Sequence, residues 1–385
     1  MHEQKEREEE KKLNTLGQYV DDYIPFDENS LTKGPNGKVL VTEITKTNHN
    51  TITAEDEKGN QVVVPGGFKI ASDSGTTVQQ GIVVEDASGN QFVWIPVSNI
   101  NHDGSNKIKL DDNSEVEITL GRYTFNTSTG TETKVQYGSE YAATTLTAIQ
   151  AGTVTNYKAE NYYYEIADQT KESIAKDLEG FINSVASNKG YFFARYEASF
   201  ASGSSVGVGD NTEFRKPSSR VSETYSTEKM GYLTGRLWNR ISKKSASKVS
   251  RQMYYGNSFV ESDLCNSYAW DTTLLYIQLM GNLNYANQGK GANTSLKNTG
   301  KTGDEKCKVF DMAGNLREWT TEYSTETSEG PGGTWYVSSV FRGGSYWSGT
   351  ASTRACSFDF GDNDEDLTGL GFRVLLYIKS VALDG

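Results

Sequence analysis

Short apolar runs set the pattern of the first hundred positions. Lys38-Val-Leu-Val-Thr-Glu-Ile44, Gln61-Val-Val-Val64, Gly81-Ile-Val-Val84 and Gln91-Phe-Val-Trp-Ile95 are rich in β-branched residues. Turn signals separate them: Pro35-Asn36-Gly37, Lys58-Gly59-Asn60 and Ser88-Gly89-Asn90. Brief β-branched runs between such turns predict strands. A different period appears at Thr170–Ser187, where Ile174, Leu178, Phe181, Ile182 and Val185 fall on one helical face and Gly190 suits a C-terminal cap. Trp270–Met280 predicts a second helix, with Leu274, Ile277 and Gln278 near the core. At the N-terminus, residues 3–12 are almost all charged, and Leu13, Leu16, Val20, Tyr23 and Ile24 follow at helical spacing. The segments 98–170, 201–230 and 282–304 are polar. The first is too long for a structureless loop, so extra strands are expected in it. The other two read as surface loops. No internal repeat stands out.

Composition narrows the class. The chain has 385 residues with 38 Gly, 22 Tyr and only 6 Pro, which suits a β- and loop-rich α+β fold. A net charge of −12 argues against nucleic acid and anionic membrane surfaces as partners, because phosphate binding needs concentrated Lys and Arg. The three cysteines (265, 307 and 356) make no disulfide framework, and the three histidines (2, 49 and 102) are scattered. A His-based zinc site and a Ser-His-Asp triad are therefore disfavoured. No run of 18 apolar residues is present.

The last fifth of the chain carries the densest motifs. Asp311-Met-Ala-Gly-Asn315 is turn chemistry in which Gly314 and Asn315 tolerate positive φ and Asp311 accepts backbone hydrogen bonds. Trp319 follows at a spacing that returns it to a core. Arg342-Gly343-Gly344-Ser345 reads as a strand whose glycines admit another backbone. Gly371-Phe372-Arg373 reads as a final core strand beside it. Arg342, Arg354 and Arg373 are expected to pair with Asp311, Glu318 or Glu197.

In order and spacing these elements resemble the formylglycine-generating enzyme (sulfatase-modifying factor) family, built on a C-type lectin-like fold. The resemblance implies that Phe92–Pro96 is the first core strand and that Gly190–Ala198 is an early strand of the same domain. It divides the chain into an N-terminal charged, amphipathic helix (1–30), a small β-rich region (31–79) and the family domain (80–385), with an insertion at about 98–187. Oxidase members carry two cysteines five positions apart after the Arg-Gly-Gly-Ser element, and these bind copper(I). The matching positions here are Ser348 and Thr353. Hydroxyls do not replace thiolates on copper(I), so neither copper nor oxidase activity is expected, and Cys356 reads as a small buried hydrophobe. A divergent copper-dependent oxidase is the alternative.

The stretch 346–366 holds Tyr346, Trp347, Ser348, Thr350, Ser352, Thr353, Phe358, Asp359, Phe360, Asp362, Asn363 and Asp364. Aromatics interleaved with small polar residues are the composition of recognition surfaces. The expectation is a ligand-binding face for a protein or a glycan. Its position also resembles the variable stretch of diversity-generating retroelement proteins, which share the lectin-like fold. The overall pattern also resembles surface-displayed or pilin-like proteins of Gram-positive gut bacteria and their phages, which implies an extracellular or cell-surface place, with the cytoplasm as the alternative. Structural calcium would be in keeping with the family, but the acids at 359–366 lack EF-hand spacing, so no cation is placed there.

Overall fold

The computed structural model describes residues 27–100, 106–126, 128–134, 175–176, 178–200, 217–219, 224–225, 236–288, 295–329, 335–346, 355, 358–361 and 369–379. The expected helix at 1–30 lies almost wholly outside these residues.

The strand-forming runs begin with β1 (Ile52–Glu55), β2 (Gln61–Val64), β3 (Phe68–Ile70), β4 (Val83–Asp86) and β5 (Gln91–Pro96). The run at 38–44 differs from expectation: Val41–Glu43 forms a single 3₁₀ turn. The polar segment 98–170 contributes β6 (Ile108–Lys109), β7 (Glu115–Val116), β8 (Tyr123–Phe125) and β9 (Glu132–Lys134), so the strands expected in it are present among its described residues. Helix α1 spans Leu178–Asn188 and buries Leu178, Phe181, Ile182 and Val185. Residues 175–176 are not helical, so the helix starts later than its apolar period suggests. Lys189, at φ 62, takes the left-handed position expected of Gly190. Gly190 instead opens β10 (Gly190–Ala194), where an added Cβ would meet the Trp94 ring at 2.3 Å.

The remaining elements are β11 (Ser199–Phe200), β12 (Pro217–Ser218), β13 (Thr224–Tyr225), β14 (Arg236–Leu237), α2 (Lys243–Met253), β15 (Val260–Leu264), α3 (Ser267–Leu279), β16 (Glu305–Lys306) and β17 (Val309–Phe310). They end with β18 (Arg317–Glu329), β19 (Trp335–Arg342), β20 (Phe358–Gly361), β21 (Leu370–Phe372) and β22 (Val374–Ile378). Asn266 caps α3 by accepting from the Ala269 amide at 2.8 Å, which explains its start before Trp270. The stretch 282–304 is less exposed than its polarity implies, because Tyr285, Leu296, Thr299 and Asp304 are buried.

Among the described residues, two of the sheets position the site. The larger runs β15-β22-β10-β5-β4-β3, antiparallel throughout. Every residue of β10 is buried, because both faces are covered. On one face Tyr191 packs edge-on against Phe181 of α1 and donates to the Ala269 carbonyl of α3. On the other, Phe192 packs against Trp94, whose indole N–H reaches the Gln61 carbonyl of β2. A continuous apolar run is what such a doubly covered strand requires. Among the described residues no helix is long and apolar enough to cross a membrane.

The smaller sheet has the order β20-β19-β18-β21. Here β21 lies parallel to β18 and not beside β19, contrary to expectation. The last core strand is β22, in the larger sheet. Arg373 alone separates β21 from β22, so a single residue carries the chain from one sheet to the other.

Candidate functional site

The frame around 346–366 is built on two buried charge networks. The first is centred on Arg373, which is fully buried. Its Nε and Nη2 donate to both oxygens of Glu318 at 3.0 and 2.7 Å. Nη1 donates to the Ala194 carbonyl of β10 and Nη2 to the Phe310 carbonyl of β17. One guanidinium thus ties together both sheets and the Asp311 loop. Its planar fork permits this, and a lysine could not do the same. Burial and the neighbouring Asp311 and Glu318 carboxyls push Glu197 well above the usual carboxyl range. Glu197 accepts from the Asn315 carboxamide (2.6 Å) and the Leu316 amide (2.9 Å).

Asp311 and Asn315 both sit at φ 67, which glycine or Asn/Asp tolerate best. Gly314, which would tolerate positive φ, does not adopt it. Asp311 Oδ2 accepts from Thr299 Oγ1 (2.7 Å) and the Gly300 amide (2.8 Å), and Oδ1 accepts from Thr302. Burial raises the Asp311 pKa to about 6, against these hydrogen bonds. Trp319 is fully buried and donates to the Ile241 carbonyl at 2.7 Å.

The second network lies under the Arg-Gly-Gly-Ser element. Glu322 sits between two arginines: Arg122 Nη2 at 2.7 Å and Arg342 Nη2 at 2.9 Å. Asp271 of α3 meets the same pair, Arg122 Nε at 2.8 Å and Arg342 Nη1 at 3.3 Å. Ser267 also donates to Glu322. Burial opposes the charge on Glu322, but Arg122 and Arg342 outweigh it and hold the pKa below the usual range. The expected Arg342 partners were Asp311, Glu318 or Glu197; Glu322 and Asp271 take that role instead. Arg373 pairs with Glu318 as expected, and Arg354 lies outside the described residues. Arg122 lies in the polar segment 98–170 and joins that part of the chain to α3 and β18.

The recognition stretch leaves this frame at fixed points. Gly343 has φ 74 and passes close to the Met312 carbonyl, which an added Cβ would meet at 3.0 Å. The Tyr346 amide donates to the Asn315 carbonyl, and its ring packs, half-buried, on Leu237, Leu296 and Leu316. Ala355 is buried; its amide donates to the Gln288 carbonyl and its carbonyl accepts from the Trp270 indole. Phe358, Asp359 and Phe360 lie on β20, paired with Arg342, Phe341 and Val340 of β19. The Gly369 amide then donates to the Asn239 carbonyl, and Gly371 and Phe372 continue in β21. Trp347, Ser348, Thr350, Ser352, Thr353, Asp362, Asn363 and Asp364 lie outside the described residues.

The described thiols are poor copper(I) donors. Ser348 and Thr353 stand where the resemblance would place the two oxidase cysteines. Cys265 is buried and forms no disulfide, and its thiol donates to the Asn266 carbonyl at 3.3 Å. Burial pushes the Cys307 thiol up to about 12, although Tyr276, Lys306 and Asn282 pull it down, so it is protonated at neutral pH. Among the described residues no cluster of three or more His, Cys, Asp or Glu side chains could hold a metal ion.

Residues 242–378 match the family model of the sulfatase-modifying factor enzyme 1-like domain. The C-terminal part of the chain is therefore similar to that domain. The match begins at α2 and ends with β22, so it contains both charge networks except Arg122 and Glu197. The chain is also similar to the crystal structure of CarF, with 12% identity, a TM-score of 0.27, and coverage of 49% of this chain and 87% of that one. A second likeness is to the Major Tropism Determinant M1 variant, at 11% identity and a TM-score of 0.24, covering 91% of this chain and 100% of that one. At these scores neither likeness carries an argument here. No curated protein matches the chain.

Sequence reasoning missed Arg122, Asp271 and Glu322 as one cluster. They are 149 and 200 positions apart from Arg122, and no local spacing announces that contact. The anchors Ala355 and Asn239 had no signal either, since both act through backbone groups.

Proposed function

We propose that the chain is a non-enzymatic recognition protein that presents 346–366 on a rigid lectin-like frame. The observation that carries the reading is the anchoring: Tyr346, Ala355, β20 and Gly369 are each tied to buried backbone, and the intervening residues are aromatic and small polar. Loops held at both ends by a rigid scaffold are suited to binding and tolerate change between the anchors. The ligand is a protein or a glycan, and the place of action is extracellular or the cell surface. The same stretch serves as the variable segment of a diversity-generating retroelement protein.

Copper(I) titration of the full chain with a cysteine-containing peptide tests the non-enzymatic part. The expected result is no stoichiometric copper binding and no oxidation of the peptide. One tightly bound copper per chain, lost in Cys356→Ser, with oxidation of the peptide thiol, would replace this reading with an oxidase. Sequencing sibling genes from one population tests the variable segment. Substitutions concentrated at 346–366 support it, and even drift along the chain refutes it.

A further inference from the structure

The N-terminal strands contain a repeat that their apolar pattern conceals. Residues 52–64 and 82–94, 30 positions apart, agree at seven of thirteen places: Ile52/Ile82, Glu55/Glu85, Asp56/Asp86, Gly59/Gly89, Asn60/Asn90, Gln61/Gln91 and Val63/Val93. This corrects the expectation that the chain has no internal repeat.

The geometry repeats with the sequence. Each copy is an antiparallel hairpin, closed by the pair Glu55↔Gln61 in one and Glu85↔Gln91 in the other. The Asp56 amide donates to the Asn60 carbonyl at 2.9 Å, and the Asp86 amide to the Asn90 carbonyl at 3.0 Å. Gly59 and Gly89 both take positive φ, +86° and +79°. Asp56 Oδ1 accepts from the Lys58 and Asn60 amides, and Oδ2 from Asn60 Nδ2 at 2.9 Å. Asp86 does the same with Ser88 and Asn90, the last contact at 2.8 Å. In both turns the aspartate engages the carboxamide nitrogen and so fixes which way the asparagine oxygen faces.

That oxygen takes a backbone amide from a later part of the chain in each copy. Asn60 Oδ1 accepts from the Lys109 amide at 2.8 Å, and Asn60 Nδ2 donates to the Lys109 carbonyl at 2.8 Å. Asn90 Oδ1 accepts from the Ser219 amide at 3.2 Å, and the Gln91 amide donates to the Ser219 carbonyl at 2.8 Å. A carboxamide pairs with a peptide as another peptide would, because it offers one donor and one acceptor in a plane. Both guests, residues 109 and 219, lie outside the family match at 242–378.

We propose that the Asp-x-x-Gly-Asn turn is a duplicated backbone-binding site, and that residues 52–96 form a platform docking two segments of this chain, one at each site. The platform, like both guests, lies outside the matched residues 242–378. Each turn holds its own guest, Asp56–Asn60 residue 109 and Asp86–Asn90 residue 219, so each site opens without the other.

Hydrogen exchange of the full chain, followed by mass spectrometry, tests this with Asn60→Ala and Asn90→Ala. In Asn60→Ala the peptide holding Lys109 loses protection by about tenfold or more, the scale of one or two lost hydrogen bonds, and the peptide holding Ser219 is unchanged. Asn90→Ala gives the reverse. The milder Asn60→Ser and Asn90→Ser, which keep a polar atom, give the same pattern with smaller amplitude and serve if an alanine variant does not fold. Uniform loss of protection across 52–96, loss at both guests from either variant, or no loss at the expected guest would overturn the proposal.

Discussion

Glu322→Gln tests the network beneath the Arg-Gly-Gly-Ser element. Gln keeps the shape of Glu322 but removes its charge. Arg122 and Arg342 would then share Asp271 alone, leaving one buried positive charge in excess. Breaking a buried ion network by removing one partner costs about 3–5 kcal/mol. An unfolding entropy of about 2.1 cal/mol/K per residue gives about 0.8 kcal/mol/K for a chain of this length, so the melting temperature should fall by about 4–6 °C. Differential scanning calorimetry measures this directly. The double variant Glu322→Gln/Arg342→Met leaves Arg122 facing Asp271 and restores neutrality. It should recover at least about 1 kcal/mol relative to the sum of the single changes. A shift under about 1 °C for Glu322→Gln, or additive single changes, would refute the claim that these four residues act as one unit.

Asp311 makes stability depend on pH. Its carboxyl is held at about 6, compared with an ordinary 3.8, because it is buried. The folded state therefore binds this proton more tightly than the unfolded chain. The contribution is fully present below about pH 4 and is lost as pH rises through 6, by at most about 3 kcal/mol. Asp311→Asn should flatten the slope of urea stability between pH 4 and 6, and an unchanged slope would argue against the assignment. Gly343→Ala forces a side chain into left-handed backbone beside the Met312 carbonyl, and urea denaturation should show a loss of about 1–2 kcal/mol. Arg373→Lys keeps the charge but cannot reach Glu318, Ala194 and Phe310 together, so it should destabilise by about 2–4 kcal/mol in the same assay.

The sequence makes some parts of this molecule legible and hides others, for physical reasons. Strands β5 and β10 are readable because each is buried nearly all round and is apolar over most of its length, and α3 is readable from the apolar Leu274, Leu275 and Ile277 of its second half. Asp311–Asn315 is readable because two residues at φ 67 need turn chemistry. Helix α2 is not, because Ser242 caps a run of Lys and Ser whose buried side includes Lys243, Ser247 and Ser250. Lys243 donates to the Glu322 carbonyl, 79 positions away, which no local window contains. The position of β21 escaped for a related reason. Its glycine admits the Trp238 carbonyl, so it pairs with β18, and the motif shows only that something approaches closely.

The most direct test of the recognition face replaces 347–354 and 362–368 with glycine-serine segments of equal length, leaving Tyr346, Ala355, β20 and Gly369 in place. Native chain and variant are then compared on a glycan array and a panel of bacterial surface proteins, with calorimetry on both. The account predicts a melting temperature unchanged within about 2 °C, since the exchanged residues lie between anchors, and loss of every signal the native chain gives. Binding that survives the exchange would place recognition elsewhere on the molecule and contradict the account.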